Sequence, residues 1–489
     1  MSKMEASSAL GEAKLPLLGN NIDEHERVAL VKRVWNESKK LWHIAGPSIF
    51  NRVSNYTMLV MTQIFAGRIG DAELAATAIA INVILGLDFG IMLGMSSALE
   101  TLCGQAFGAK QYNMLGIYMQ RSWVVLFITG FLVLPMFIFT TPILMFFGQP
   151  SEIAELAGVV TMWLIPSHLT YAFYLPLHFF LQSQLKNRVI GYVSFVALLV
   201  HTFLCWLVVI KLKLGLAALI GFGNVAWLVL VCGYFGYAVL GGCPLTWTGF
   251  SMEAFFGLWE FAKLSAASGV MLCLEVWYDK ILMLMTGNLH NARTFVEALT
   301  ICLSINVWEL MFPLGFLAAT GVRVANELGA GNGKAAKFAS SVAVGTSITI
   351  SVFFWMLVMI FRSQFGYIFT SNELVIEEVN KLSPLLGFTI LLNSVQPVLS
   401  GVAIGSGWQR FVACVDLGCY YLIGLPLGYL MGFVFNYGVE GIWAGLICGG
   451  PAIQTLILAW VTIRCDWEGE AERTKKHLSK WGAAKPELK

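Results

Sequence analysis

The chain has 489 residues, of which 57% are hydrophobic and 12% are charged, and its formal net charge is +2. Soluble domains carry roughly a quarter charged residues, so this composition excludes an ordinary water-soluble protein, and the small net charge gives no support for a nucleic-acid partner. Apolar runs of about 20 residues recur along the chain, as in helical membrane proteins, and they do not alternate as in a β-barrel. The ten cysteines are scattered without a CxxC pair, so we expect neither a metal site nor a disulfide framework.

The order of polar and apolar stretches predicts the topology. Residues 1–36 are polar and of mixed charge, which is typical of a tail and not of a signal sequence. Residues 465–489 form a second polar tail. Between the tails the apolar runs predict twelve transmembrane helices with short loops, near residues 42–66, 73–102, 117–142, 155–181, 189–211, 214–240, 256–286, 296–322, 336–362, 382–406, 411–435 and 440–463.

The distribution of lysine and arginine predicts the orientation of these helices. An even number of helices places both tails on one side, and most basic residues of the loops and tails fall on that side. The loops on the opposite side contain few basic residues, namely Arg68, Lys211, Lys213, Arg293, Arg362 and Lys381. Because basic loops remain in the cytoplasm, we expect both termini to be cytoplasmic.

Two loop segments, one in each half of the chain, resemble each other. They are ALETLCGQAFGAKQ (98–111) and ATGVRVANELGAGN (319–332). Gly108 aligns with Gly329, and Gln105 aligns with Asn326. The segments therefore indicate an internal repeat.

The same register extends upstream from the loops, where it aligns Gly94 with Gly315 and Asp88 with Glu309. Six helices in each half give a parallel repeat, as in transporters that rock one half against the other. We therefore predict two pseudo-symmetric lobes of six helices, an N-lobe over residues 37–245 and a C-lobe over residues 246–464.

Two polar residues of the first half have alternative interpretations. Arg52, in the first predicted helix, either partners a buried acid or extends its head group to the cytoplasmic surface. Glu100 follows the second predicted span, and we expect it to order the cytoplasmic turn.

The seventh predicted helix carries a carboxylate deep within its apolar run. Glu275 lies about three turns after Lys263 with no charge between them. An ionised carboxylate in hydrocarbon costs several kcal/mol, so the group must face a protein interior, a partner or water. Burial also favours the neutral form of a carboxyl group, which lets it change protonation near neutral pH. We interpret Glu275 as the protonation switch of a transporter.

Glu309 is the second candidate for proton coupling. It lies in an apolar run of the eighth helix, with Pro313 one turn later. Proline frees a backbone carbonyl of the preceding turn, and that carbonyl needs a cavity or a partner within a membrane.

Three further acids are candidates for the same chemistry. Asp279 lies one turn after Glu275 and is either a second acid of the site or a partner of Lys280. Asp88 is a candidate N-lobe acid by the repeat. Asp416 stands early in the eleventh helix, where a role at the cytoplasmic interface competes with a role in the site.

Aromatic and amide side chains flank these acids and are candidates for substrate binding. Aromatic faces suit planar or cationic organic molecules through stacking and cation–π contacts, although lipid-facing and core aromatics are common in such a chain. The candidates are Trp277, Tyr278, Trp308 and Asn393.

Four motifs together resemble the multidrug and toxic compound extrusion (MATE) family, and most closely its plant branch, the DETOXIFICATION proteins. They are ALETLCGQAFGA, RVANELGAGN, SGVAIGSGWQ (400–409) and YYLIGLPLG (420–428), and the similarity covers about residues 35–465. The resemblance implies a MATE-type all-α membrane fold of twelve helices in two lobes, with a V-shaped cavity. It also implies export of organic compounds in exchange for protons or sodium. It assigns cation coupling to Glu275 and Glu309.

The chain departs from the family pattern at two places. Many members carry an acid in the tenth helix where this chain has Asn393, and an amide cannot bind and release a proton near neutral pH. Bacterial members often carry an acid late in the first helix, where this chain has Thr62 and Gln63. The first departure favours protons over sodium as the coupling ion, with Glu275 and Glu309 as the titrating groups, and the second argues against a proton site in the first helix.

The sequence thus predicts a secondary active antiporter that exports secondary metabolites or xenobiotics from the cytoplasm in exchange for protons. We expect a monomer in the vacuolar or plasma membrane, with a small organic substrate and no cofactor. The alternatives are a sodium-coupled or major-facilitator-like carrier, a channel, and a membrane-embedded transferase. The transferase is disfavoured because the seven histidines are dispersed without an HxxxxD or DDxxD motif.

Overall fold

The computed structural model describes the backbone of residues 15–286 and 292–482, and the side chains there apart from residues 15–28, 276, 277, 279, 280, 283, 284, 292, 293 and 480–482. All regular elements within these ranges are helical, as the composition predicts. The long helices, in chain order, are α1 Leu15–Gly67, α2 Asp71–Gly108, α3 Tyr112–Ile138, α4 Ser151–Ser183, α5 Asn187–Lys211, α6 Leu216–Gly242, α7 Leu258–Thr286, α8 Ala292–Gly329, α9 Gly333–Ile360, α10 Glu373–Ser406, α11 Gln409–Val434, α12 Gly438–Arg464 and α13 Trp467–Gly482.

Among the described residues, ten of these helices are long and apolar enough to cross a membrane by length and composition. Apart from the short polar helix α13, helices α1 and α7 fall outside that set. Each of them carries ionisable groups inside its apolar stretch, Arg52 in α1 and Glu275 in α7. Since such groups avoid lipid, their side chains are expected to face other helices.

Several helices extend beyond the predicted membrane segments. Helix α1 begins at Leu15, so part of the predicted N-terminal tail is helical. Helix α13, Trp467–Gly482, occupies most of the predicted C-terminal tail. Hydropathy marks the part of a helix that suits hydrocarbon, and it does not mark polar turns that continue the helix beyond the membrane.

Close contacts at glycines join the two halves of the chain in symmetric pairs. A Cβ atom at Gly94 of α2 would overlap Gly269 of α7, and a Cβ atom at Gly315 of α8 would overlap Ile49 of α1. Gly94 and Gly315 are the residues that the repeat aligns. Each therefore lets its helix pack closely on a helix of the opposite half.

The same reciprocity holds at the loop ends of α2 and α8. A Cβ atom at Gly108 would overlap the carbonyl group of Asn326, and one at Gly329 would overlap the carbonyl group of Gln105. Only glycine allows these backbones to approach so closely. The aligned residues of the two repeats thus contact each other across an approximate two-fold axis.

Side-chain hydrogen bonds hold this end of the molecule together. Thr101 of α2 donates to the carbonyl oxygen of Ile404 at 2.6 Å and accepts from Nε2 of Gln409 at 2.7 Å. Gln105 Nε2 donates to the carbonyl oxygen of Gly405 at 3.1 Å. The first and second halves are therefore in direct contact at the end that carries the repeated loops.

Helix α13 packs across that end through one buried stripe. The residues Trp467, Ala471, Thr474 and Leu478 are buried and recur at a spacing of three to four positions, as on one face of a helix. Trp467 and Ala471 pack with side chains of α8, α9 and α10. Leu478 lies in the large apolar cluster of the first half.

Candidate functional site

Glu275 lies between two amide side chains in the second half. Its Oε1 accepts from Gln396 Nε2 at 3.2 Å and from Gln454 Nε2 at 3.3 Å. Helix α7 supplies the carboxyl group, α10 supplies Gln396 and α12 supplies Gln454. Amide N–H groups stabilise the ionised form of a carboxyl group.

Asp416 of α11 belongs to the same cluster. Its Oδ1 accepts from Gln454 Nε2 at 2.6 Å, so one amide nitrogen contacts both carboxyl groups. Asp416 is completely buried, and its Oδ2 has no hydrogen-bond partner within the described ranges. Of the two roles predicted for Asp416, this geometry favours a role in the site over one at the cytoplasmic interface.

Gln454 is held in place by two further hydrogen bonds. Its Oε1 accepts from the Tyr420 hydroxyl at 2.5 Å and from Gln396 Nε2 at 3.0 Å. Because the oxygen faces two donors, the amide nitrogen is directed to the carboxyl groups. The described part of the cluster therefore contains two acids, two amides, a phenol and the Ser400 hydroxyl, which accepts from Gln396 Nε2 at 3.3 Å.

A break in α10 allows that helix to contribute to two polar clusters. The first helical segment ends at Asn393 and the second begins at Gln396, with a turn between them. Pro397 lies in the first turn of the second segment, where a missing N–H is tolerated. Gln396 contacts Glu275, whereas Asn393 contacts α8.

Glu309 of α8 is buried in the second of these clusters. Its Oε1 accepts from the Ser351 hydroxyl of α9 at 3.4 Å, and Asn393 of α10 lies beside the carboxyl group. Asn393 Nδ2 also donates to Oδ1 of Asn306 at 2.9 Å. The amide at position 393 therefore lies beside the second acid and donates to Asn306.

The candidate substrate-binding aromatics occupy different environments. Trp308 is 43% exposed, and its ring packs edge-on against Tyr56 of α1 at 5.1 Å, so it lies between the two halves. Tyr278 is buried, stacks on Tyr420 at 4.6 Å and donates its hydroxyl to the carbonyl oxygen of Leu446 at 2.7 Å. Exposure thus favours Trp308 over Tyr278 as a substrate contact.

The side chains of Trp277 and Asp279 lie outside the residues that the structure describes, so their predicted roles stay predictions.

Asp88 pairs with a histidine in the first half. Its Oδ1 lies 2.8 Å from His168 Nδ1, and both side chains are fully buried. His168 Nε2 lies 2.9 Å from the carbonyl oxygen of Gly130, which only accepts, so Nε2 carries a proton. The remaining proton lies between the aspartate and Nδ1, and the pair carries no net charge.

The expectation that Glu100 orders the cytoplasmic turn is wrong. Glu100 is buried within α2, where Oε1 accepts from Gln182 Nε2 of α4 at 3.0 Å. The guanidinium of Arg52 on α1 interacts electrostatically with the Glu100 carboxyl group. Gly321 of α8 packs against the same carboxyl group. Of the two alternatives for Arg52, the structure supports the partner of an acid. The hydropathy pattern placed the end of the membrane segment before the end of the helix.

Three polar side chains that contact the buried acids were not predicted from the sequence. They are His168, Gln396 and Gln454. Each stands in an apolar run as an uncharged residue, and nothing in its neighbours marks it. A search for every amide and imidazole within predicted spans would have found them, because membrane helices bury such groups only against partners.

Comparisons with known proteins agree with this architecture. The sequence profile of the MatE family matches residues 47–207 and 267–430. Protein DETOXIFICATION 27 of Arabidopsis thaliana is 58% identical over 471 residues, which cover 96% of this chain and 97% of that protein. Protein DETOXIFICATION 28 of the same plant is 56% identical over 98% of both chains.

Solved structures show the same fold. The crystal structure of the eukaryotic MATE transporter AtDTX14 superposes with a TM-score of 0.86 at 34% identity, over 91% of this chain and 99% of that chain. A MATE structure in the bent conformation superposes with a TM-score of 0.79 at 15% identity, over 91% and 97% of the two chains. The predicted all-α membrane fold of twelve helices in two six-helix lobes is confirmed.

Proposed function

Since the chain belongs to the MatE family of membrane transporters, we propose that it is a secondary active antiporter that exports organic compounds from the cytoplasm in exchange for protons. The observation that carries this proposal is the cluster of Glu275 and Asp416 around Gln454. Two carboxyl groups that share one donor inside a membrane protein disfavour simultaneous ionisation, so such a cluster binds protons readily.

The proposed cycle uses Glu275 and Glu309 as the groups that exchange protons for substrate. With the site open to the cytoplasm, the ionised carboxylates attract the substrate. The lobes then rock so that the site faces the acidic side of the membrane, where protons neutralise the carboxylates and the substrate leaves. Each pH unit supplies about 1.4 kcal/mol per proton exchanged.

The substrate class follows from the residues around the acids. Trp308 presents an exposed ring between the halves, near Glu309 on the same helix. The ring and the buried carboxyl group point in different directions from the helix, and the exposed aromatic face by itself favours planar or cationic organic molecules. We propose secondary metabolites or xenobiotics of this kind, carried by a monomer.

We also propose that both termini face the cytoplasm and that the protein resides in the vacuolar or plasma membrane. The excess of lysine and arginine in the loops on the side of the termini supports this orientation. The compartment beyond the membrane would then be acidic, as the proton-driven cycle requires.

The test is uptake into proteoliposomes with an acidic interior, screened over a panel that begins with the planar cation ethidium and includes alkaloids, flavonoid glycosides and citrate. We expect at least one compound to accumulate in the wild type. Glu275→Gln should abolish this accumulation, because an amide cannot bind and release the proton.

The matched control is Glu260→Gln, which makes the same change at an exposed position of the same helix, where the carboxylate pairs with Lys263. It should transport at the wild-type rate. Full pH-driven accumulation by Glu275→Gln would overturn the proposal.

A further inference from the structure

A groove lies between the start of α11, the last turns of α12 and the start of α13, at the end of the molecule where α13 packs. Its volume is about 440 Å³. The aromatic side chains of Trp408, Phe411 and Trp460 line it, together with the guanidinium groups of Arg464 and Arg473. The groove shares no residue with the clusters around the buried acids, so it is a separate feature that combines apolar and cationic surfaces.

The apolar part of the groove continues into a lipid-facing surface. Leu456, Trp460 and Ile463 of α12 are 65–70% exposed, and their spacing of four and three positions places them on one face of the helix. Phe411 of α11 is also exposed. Both helices are long and apolar enough to cross a membrane, so these exposed apolar side chains face hydrocarbon. The groove is therefore open to lipid acyl chains.

Arg464 supplies the cationic part at the depth of the lipid phosphates. It is the last residue of the apolar helix α12, one turn after Trp460, and arginine and tryptophan both favour the membrane surface. Arg473 pairs with Glu470 at 3.3 Å. Arg464 is exposed and has no hydrogen-bond or ion-pair partner among the described residues. Its planar guanidinium group can therefore donate two hydrogen bonds to the oxygens of a phosphate.

Two acids line the groove beyond the membrane segment, namely Asp466 and Glu470. Asp466 Oδ1 accepts from the backbone nitrogen of Gly469 at 3.2 Å, whereas Oδ2 accepts no hydrogen bond from a described residue. The two arginines and two acids of the lining balance in charge. This balance disfavours a head group of net negative charge and favours one that carries an ammonium group beside its phosphate.

We propose that the groove is a binding site for a phospholipid whose head group carries a protonated amine, namely phosphatidylethanolamine. Arg464 binds the phosphate, Asp466 accepts a hydrogen bond from the ammonium group, and an acyl chain lies against Trp460 and Phe411. The bound lipid joins the end of α12 to the start of α13. This inference does not depend on the proposed antiport.

The first test is native mass spectrometry of the full chain titrated with phosphatidylethanolamine, which measures the affinity for the first bound lipid. Arg464→Gln should weaken this affinity about tenfold, because the phosphate loses charge-assisted hydrogen bonds. The matched control is Arg410→Gln, since Arg410 is an exposed arginine of α11 that does not line the groove. The control should bind the lipid like the wild type. Equal affinities in the wild type and Arg464→Gln would overturn the proposal.

The same titration tests the choice of head group. The wild type should bind phosphatidylethanolamine several-fold more tightly than phosphatidylcholine, whose ammonium group has no hydrogen to donate, and than phosphatidylglycerol, which has no ammonium group. Asp466→Asn keeps an oxygen that can accept from Gly469 but removes the charge, so it should bind phosphatidylethanolamine and phosphatidylcholine equally. Tighter binding of phosphatidylglycerol by the wild type, or an unchanged preference in Asp466→Asn, would contradict the proposed recognition of the amine.

The second test locates the lipid with a phosphatidylethanolamine that carries a photoreactive diazirine in one acyl chain, near the head group. Crosslinks should concentrate in residues 408–417 and 456–464 and should decrease in Arg464→Gln. An excess of soluble glycerophosphoethanolamine should not reduce them, because it has no acyl chain to bury in the groove. Crosslinks spread evenly over the lipid-facing helices, or their loss to the soluble head group, would show that the groove is not a phospholipid site.

Discussion

The buried acids of the helices differ in their hydrogen-bond partners. Glu275 and Asp416 share an amide, Glu309 accepts from a serine, and Asp88 pairs with His168. A carboxyl group that shares neutral amides can gain or lose a proton with modest rearrangement. One that pairs with a buried histidine holds its proton within the pair.

Asp88→Asn tests this distinction at the level of one residue. Replacing the carboxyl group of this buried pair should lower the free energy of unfolding by about 1–3 kcal/mol, because asparagine offers His168 Nδ1 only a neutral amide donor. The pH midpoint of transport should stay at the wild-type value, since the variant leaves the second half unchanged. Thermal unfolding in detergent and the pH profile of ethidium uptake measure the two effects.

Wild-type stability together with a displaced pH profile in Asp88→Asn would place Asp88 in proton coupling, as its alignment with Glu309 first suggested.

Sequence reasoning singles out the charged residues of the candidate site more readily than the neutral ones. Glu275 and Glu309 were recognisable because a carboxylate in an apolar run is rare and costly. Gln396 and Gln454 carry no charge, so the free-energy cost of burying them is smaller. Their hydrogen-bond partners lie on other helices, and the sequence alone does not show them. The tertiary contacts of α7, α10, α11 and α12 decide which amide meets which acid.

At the scale of helices, the apolar runs located the membrane segments well and their ends poorly. Helices α1 and α2 continue past the predicted boundaries because their polar turns remain helical outside hydrocarbon. The break in α10 was equally hidden, since Pro397 is compatible with either a kink or the start of a new segment. The packing of α10 against two polar clusters determines that a new helical segment starts here.

Helix α13 provides a prediction at this scale. It packs on the second half through Trp467 and on the first half through Leu478. Separation of the halves at this end therefore requires one of these contacts to break. Leu478→Asp places a charge in an apolar cluster and should loosen the contact.

The measurement is the labelling rate of a cysteine introduced at Ser183, in a background without other cysteines, by a membrane-impermeant thiol reagent. Ser183 is buried, and its carbonyl oxygen accepts from Asn326 across the halves. Leu478→Asp should raise the rate several-fold. Ser479→Asp, the same charge change at the exposed neighbouring position, should leave it unchanged. Equal rates in both variants would show that α13 does not restrain this end.

At the scale of the whole molecule, the internal repeat explains why the two halves pack symmetrically, whereas their buried polar groups differ. Aligned glycines place α2 against α7 and α1 against α8 in equivalent ways. The polar content of the two halves differs, because the first half holds an aspartate–histidine pair and the second holds the paired acids. We therefore expect the halves to move as similar bodies while the second half carries the proton exchange.

The central claim is the obligatory exchange of protons for an organic substrate, and simultaneous recording of both fluxes tests it most directly. Proteoliposomes with equal internal and external pH, an internal pH-sensitive dye and an external excess of ethidium, or of the compound that the panel selects, provide the measurement. The account predicts that entry of the compound drives protons outward and raises the internal pH in the wild type, and that Glu275→Gln shows neither flux. Entry of the compound without any change of internal pH would contradict it.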